Sequence, residues 1–251
     1  MQIENILNHV REVYGDSYFF DGKQGYPNYF KQKDILQLHG NNYGELLSKY
    51  KIKGKILDVG CAAGFILKGY EQCGWEVSGI EPNDTMAEYG RSKLNLPIIT
   101  SALECFQSNQ KYDVISLIQV IGHFYDCDKA LLKISGLLNK EGIVLVEFWD
   151  RNSRIAKTMG KYWHEYSPPS VVSWFSDSTL TQLFNYYGFE LIGKGRPLKK
   201  IRIAHALSLF EESTPGFIYK KKILNAANRA FGKLTIAYPF HDLKWHIFKK
   251  L

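Results

Sequence analysis

The chain has 251 residues, 45% of them hydrophobic and 23% charged, a balance that suits one folded domain with its own core and excludes the profile of a disordered chain. Its formal net charge is +7, and the excess sits late: between Lys194 and Phe240 ten Lys or Arg stand against two acids, Glu211 and Glu212. Nowhere do eighteen apolar residues run together, the opening MQIENILNHVREVYG is too charged for a signal peptide, and Cys61, Cys73, Cys105 and Cys127 form no C-x-x-C pair; this argues against a membrane span, a zinc site or a disulfide framework, and for a cytoplasmic protein.

Residues 1–50 read as a helical lid interrupted by an aromatic, glycine-rich stretch, YFFDGKQGYPNYF from Tyr18 to Phe30. An alternation then begins. KILDVG (55–60), EVSGIE (76–81), PIIT (97–100), YDVISLIQ (112–119) and GIVLVEFWD (142–150) are short apolar runs with strand character, and helical patterns near 63–73, 83–94 and 126–138 lie between them. Parallel strands need helix-sized crossovers, so this order predicts a doubly wound, mostly parallel α/β sheet. After a long aromatic connection (151–175), Asp177 to Tyr187 predicts a helix ended by Gly188, and FELIGKG (189–195) a strand. In the closing DLKWHIFKK, Leu243, Trp245 and Ile247 alternate with Lys244 and His246, which is strand periodicity. Pairing of this run with 189–195 gives an antiparallel edge and leaves 197–240 as a basic, mostly helical insertion within a main domain of 51–251.

Ligands of such sheets bind beyond the carboxyl ends of the strands, where strand order reverses. The first strand ends in Asp58-Val-Gly60-Cys61-Ala62-Ala-Gly64 and runs into a helix; the second ends in Glu81-Pro82-Asn83. Two glycines let backbone approach a ligand or merely permit tight helix packing, and an acid after the second strand suits a ribose. A nicotinamide or flavin site would want G-x-G-x-x-G; here the spacing is G-x-x-x-G with Ala62 in the middle, which serves a pyrophosphate poorly.

ILDVGCAAGFIL resembles the first motif of the class I S-adenosylmethionine-dependent methyltransferases, GIEPN their ribose acid, and YDVISLIQVIGHF with LLNKEGIVLVEF their fourth and fifth strands. The resemblance implies a Rossmann-like, seven-stranded sheet and S-adenosylmethionine as cofactor, with S-adenosylhomocysteine as product. It further implies that Asp58, Gly60, Cys61, Ala62 and Gly64 hold the methionine portion, Glu81 the ribose, Pro82, Asn83, Ala102 and Leu103 the adenine, and that Gln119 meets the methionine end. No metal is implied.

Methyl transfer asks the protein to align a nucleophile and exclude water, and an oxygen nucleophile also asks for a base. His123, in VIGHFYD, resembles the histidine of the V-L-E-H turn of many small-molecule methyltransferases; Gly122 replaces the acid there, and packing or capping the next helix is the competing role. Glu147, at the mouth of the fifth strand, and His164 are further candidates. The segment GKYWHEYSPPS resembles the G-x-x-W stretch and proline pair of a broad bacterial branch of the family, but Ser170 stands where members carry a histidine. Tyr18, Tyr26, Tyr29, Tyr162 and Trp163 are candidates to roof an acceptor pocket, against ordinary packing.

A base-methylating enzyme would resemble a site with Asn or Asp, two prolines and an aromatic after the fourth strand; this chain has Ile118-Gln119-Val120-Ile121, so nucleic acid is disfavoured. The preferred acceptor is a small molecule, sugar or lipid-linked compound, with O-methylation favoured. The basic insertion, where Ile203, Leu207 and Phe210 recur at helical spacing, would meet an anionic acceptor or an anionic membrane, or pack on the parent domain.

Overall fold

A computed structural model describes residues 12–20, 29–198, 200–202, 235–238 and 241–251. Nine strands are present among them: β1 (Lys55–Val59), β2 (Glu76–Glu81), β3 (Ile98–Thr100), β4 (Tyr112–Ile118), β5 (Leu138–Trp149), β6 (Phe189–Gly195), β7 (Lys200–Arg202), β8 (Thr235–Ala237) and β9 (Leu243–Lys250). The helices are α1 (Asp16–Phe20), α2 (Lys33–Leu47), α3 (Phe65–Gln72), α4 (Asp84–Leu94), α5 (Cys127–Leu137), α6 (Arg154–Met159) and α7 (Asp177–Tyr186). Seven strands form one sheet in the order β3-β2-β1-β4-β5-β9-β6. The first five neighbours run parallel, and β9 enters antiparallel between β5 and β6. This is the doubly wound sheet that the alternating runs predict, with its antiparallel pair at one side.

Both faces are covered, which is why the strands read as near-continuous apolar runs. Leu57, Val59, Ile115, Leu117, Val144, Val146 and Phe148 pack against Ala130, Leu131 and Ile134 of α5 and Leu180 and Phe184 of α7. On the other face Ile56, Val114, Ile143, Leu145 and Ile247 meet Tyr43 and Leu47 of α2 and Leu67 and Tyr70 of α3. Helices α2 and α3 touch backbone to backbone: a Cβ on Gly69 would lie 2.5 Å from the Asn41 nitrogen and the Gln37 oxygen, and one on Gly40 would strike the Ile66 carbonyl. No other residue type fits there, so α2 is held on the helix that follows the first glycine turn.

Helix starts follow local chemistry. Asn83 caps α4 through Met86 N, Asp126 caps α5 through Lys129 N, and Ser176 with Thr179 forms a capping box on α7. Strand β5 begins four residues before the sequence pattern suggests, because Leu138 pairs with Tyr112 across an irregularity and Glu141 adopts a φ of 57°. In the basic insertion the flanks differ from the helical reading: β7 and β8 pair antiparallel, Lys200 with Ala237 through Arg202 with Thr235. Two ends of one excursion are thereby joined, and their backbone groups satisfy each other as a ladder. Residues 203–234, which carry the apolar stripes and half of the ten late basic residues, lie outside the described residues, as does Tyr26. Among the described residues no helix is long and apolar enough to cross a membrane.

Candidate functional site

The chain leaves β1, builds outward through β2 and β3, and returns to β4 on the other side of β1. The strand order therefore reverses between β1 and β4, and a crevice opens beyond their carboxyl ends. Gly60 (φ 68°), Ala62 (φ 47°) and Gly64 (φ 82°) all lie in the left-handed region, so the turn reverses sharply into α3. Its backbone is tied to the neighbouring strand: Gly60 N and Cys61 N donate to the Ile80 carbonyl at 2.8 and 3.1 Å. A Cβ on Gly60 would stand 2.9 Å from Val120, and one on Gly64 would meet Leu96 and Ile98. Both glycines thus answer to backbone conformation and neighbouring side chains. Cys61 is buried in the core on the α2 and α3 side.

Glu81 ends β2 and is buried at 3% exposure. Its carboxylate accepts from Ala62 N and from Asn83 N, each at 2.8 Å. Burial pushes its pKa up to about 7 against the pull of those two N–H groups. Each oxygen keeps a lone pair after these bonds, which is what vicinal hydroxyls of a ribose would use. Asp58, equally buried, accepts from the Ser116 hydroxyl of β4; burial lifts it to about 7, eased by Ser116 and aggravated by Glu81. The turn therefore fits a nucleoside that brings hydroxyl donors, and two neighbouring acids would welcome a cationic ligand.

Asn83 is otherwise engaged. Its Oδ1 caps α4, while Nδ2 donates to the Tyr14 carbonyl at 3.0 Å and to Asp16 at 3.1 Å. It fastens the N-terminal segment to the end of β2. Ala102 and Leu103 follow β3, both buried, with Leu103 in the main core, and Pro82 is half-buried. A separate groove by β3, lined by Ser78, Arg91, Pro97, Phe106 and Tyr112, contains none of these groups.

On the other side of the crevice, β4 ends at Gln119, which has a φ of 58°. Its N–H donates to the Glu147 carbonyl at 2.9 Å and its carboxamide to the Glu147 carboxylate at 2.8 Å. Glu147 is wholly buried and lies under α2, where Tyr43 donates to it at 2.5 Å and His39 Nε2 lies at 2.7 Å. At the mouth of the fifth strand this carboxylate thus turns beneath a helix, because β5 residues of that parity face α2.

His123 lies in a short 3-10 turn, Ile121–His123. Its Nδ1 is 2.6 Å from the Ser170 carbonyl and 3.1 Å from the Tyr14 hydroxyl, and the Tyr14 ring stands edge-on to it at 5.5 Å. The tyrosine also donates to the Ser170 carbonyl at 2.8 Å. What orients the imidazole is therefore a main-chain oxygen 47 residues further on, in place of the acid that Gly122 lacks. Burial lowers its pKa, opposed by hydrogen bonding to the backbone of Ser170 and Gln119, which favours the neutral ring.

The aromatic candidates divide. Tyr18 packs edge-on to Tyr14 and Phe19, and Tyr29 stacks on Phe65 at the start of α3; both belong to one apolar cluster with Ala62 and Ala63 of the glycine turn and Met86. Trp163 is core: 1% exposed, its indole N–H donates to the buried Asp242 at 3.0 Å. Tyr162 is 56% exposed with Lys161 over its ring, and His164 packs against Trp149. Tyr14, His39, Tyr43 and Ser116 escaped the sequence reading. Their signal was a polar residue on a buried stripe: Ser116 within VISLI, and His39 and Tyr43 one turn apart beside Leu36 and Leu47.

A glycine turn, a buried acid one strand over and the strand order of the sheet define the class I methyltransferase architecture. A family model described as a methyltransferase domain matches residues 35–194, and the chain belongs to this family of S-adenosylmethionine-dependent methyltransferases. It is similar to the ubiquinone biosynthesis O-methyltransferase of Rhodopseudomonas palustris (strain HaA2), 26% identical over 147 residues, covering 55% of this chain and 58% of that protein. With the Rickettsia felis protein of the same name it shares 29% over 134 residues, 51% of this chain and 52% of that one. The match thus spans little more than half the length of these curated relatives. Among solved structures, magnesium protoporphyrin IX methyltransferase from Synechocystis PCC 6803 with bound SAM superimposes with a TM-score of 0.60 over 100% of both chains at 12% identity. A possible histamine N-methyltransferase from Thermotoga maritima gives 0.60 at 17% identity, over 89% of this chain and 94% of that one. These two likenesses concern the fold.

Proposed function

We propose that this chain binds S-adenosylmethionine and transfers its methyl group to an oxygen of a small acceptor. The observation that carries the reading is Glu81: a buried carboxylate at the end of β2, bonded to the backbone on both sides of the crevice floor, with acceptor capacity left over. When bound, the cofactor supplies a methyl carbon already activated for displacement. The protein's tasks are then to hold the nucleoside through Glu81 and the turn from Asp58 to Gly64, to place Gln119 at the methionine end, and to line the adenine with Pro82, Ala102 and Leu103. Asn83 serves by tying the N-terminal segment across the site.

An oxygen acceptor is favoured because the curated relatives are named O-methyltransferases. Such an acceptor must lose a proton, and His123 is the base we assign: a neutral imidazole near the end of β4, oriented by Ser170. Tyr18 and Tyr29, clustered with the alanines of the turn, would close the pocket as part of an N-terminal lid. The late basic charge favours an anionic or lipid-linked acceptor, or an anionic membrane surface.

Calorimetric titration of the full chain with S-adenosylmethionine and S-adenosylhomocysteine tests the cofactor assignment. Glu81→Ala is expected to weaken both, since each charge-assisted bond lost is worth about 1.5–3 kcal/mol. Wild-type affinity in the variant, or preference for a dinucleotide, would reject it.

A further inference from the structure

Glu147 draws together three side chains, His39 and Tyr43 of α2 and Gln119 just beyond β4. It is fully buried, as is His39 within a few per cent, and buried charge is costly unless donors surround it. His39 Nε2 and the Tyr43 hydroxyl meet Oε2, and the Gln119 carboxamide donates to Oε1. Well-packed apolar residues would serve stability at least as well, so the arrangement calls for another reason.

That reason lies in Gln119. A carboxamide offers a donor on one side and an acceptor on the other, and nothing in its shape decides which way it faces. A carboxylate accepts only, so Glu147 compels the Gln119 amide nitrogen to turn toward it and leaves the amide oxygen on the opposite side. The Gln119 main chain is fixed as well, by its left-handed φ and its N–H bond to the Glu147 carbonyl. Tyr43 and His39 in turn hold the carboxylate in one rotamer, and they sit one turn apart on α2, the helix clamped to α3 through Gly40 and Gly69. The polar chain therefore runs from a helix seated on the cofactor turn, through β5, to the end of β4.

We propose that His39, Tyr43 and Glu147 are positioning residues that fix the Gln119 carboxamide as an acceptor at the methyl-donor end of the crevice. The partner chemistry this serves is a cationic or hydroxyl donor on the bound cofactor. The proposal rests on the S-adenosylmethionine reading, and the test keeps the two apart.

The measurement is calorimetric affinity for S-adenosylhomocysteine in the wild type, Glu147→Gln, Gln119→Ala and the double variant. Glu147→Gln is expected to weaken binding about tenfold, within the range of coupled neighbours. In the Gln119→Ala background it should add nothing. His39→Gln, which keeps a donor toward Glu147, should stay within about twofold of wild type, whereas His39→Leu should lose as much as Glu147→Gln. Should Glu147→Gln fail to fold, Tyr43→Phe replaces it in the same cycle, with folding checked by cofactor-free melting. An undiminished Glu147→Gln, or one whose effect persists without the Gln119 carboxamide, overturns the proposal while the cofactor reading stands. A wild-type chain that binds no S-adenosylhomocysteine overturns both.

Discussion

The two banks of the crevice are built differently. On the β1–β2 bank the Glu81 carboxylate is held by nearby backbone: it accepts from Asn83 two residues on and from Ala62 nineteen residues back. On the β4–β5 bank the contacts join residues far apart in the chain. His39 and Glu147 are 108 residues apart, Tyr14 and His123 109, and His123 and Ser170 47. The Glu81 cradle is a property of one strand-turn-helix unit and the next strand; the second bank exists only once α2, β5, the N-terminal segment and the loop at 170 have docked. The first should thus govern affinity for the nucleoside; on the second, Gln119 with Glu147 should serve the other end of the cofactor and His123 turnover.

The largest expected effect separates the banks most sharply. His123→Ala should lower kcat by about 10²- to 10⁴-fold, the usual worth of a general base, and leave the affinity for S-adenosylhomocysteine within about twofold. Single-turnover rates beside calorimetry would check this. Intact turnover would return His123 to a packing role, and equal losses in rate and affinity would dissolve the distinction between the banks.

This difference also explains what was legible in the sequence. The strands, the helix starts and the glycine turn could be read because period, capping residues and turn residues act over a few positions. Glu81 could be read for the same reason. The partners of Glu147 and His123 could not, since nothing within ten residues of His39 or Tyr14 indicates what lies opposite after folding. Glu147 stands by its sequence at the mouth of the fifth strand, where an acid faces the cleft or pairs; only the docking of α2 decides that it pairs with His39 and Tyr43. Trp163 was likewise a plausible roof until Asp242, 79 residues away, claimed its indole N–H.

A second prediction concerns pH on the first bank. Glu81 and Asp58 have ordinary values of 4.5 and 3.8 and are both lifted to about 7 in the folded chain. Between these limits the folded state binds more protons than the unfolded one, so the stability of the cofactor-free protein should fall as pH rises from about 5 to 7.5. Over the same interval the ionised carboxylate becomes the better acceptor for hydroxyl donors, so cofactor affinity should rise. Opposite slopes in melting temperature and in calorimetric affinity would be the signature. Glu81→Gln, which keeps the shape without the titration, should flatten both slopes, and unchanged slopes would remove Glu81 from the account.

The smallest effect is the most discriminating, because one residue touches both banks with different atoms. The Tyr14 carbonyl accepts from Asn83 at the end of β2, whereas its hydroxyl donates to the Ser170 carbonyl beside His123. Tyr14→Phe deletes only the hydroxyl's contacts, with the Ser170 carbonyl and with His123 Nδ1, each worth about 1 kcal/mol. The main-chain tie to Asn83 remains, so affinity for S-adenosylhomocysteine should hold within about twofold. Turnover should fall several-fold, since the imidazole loses the hydroxyl 3.1 Å from its Nδ1. A loss confined to affinity would mean that the N-terminal segment acts on the nucleoside side alone, and His123 would then owe its orientation to Ser170 without help from the strap above it.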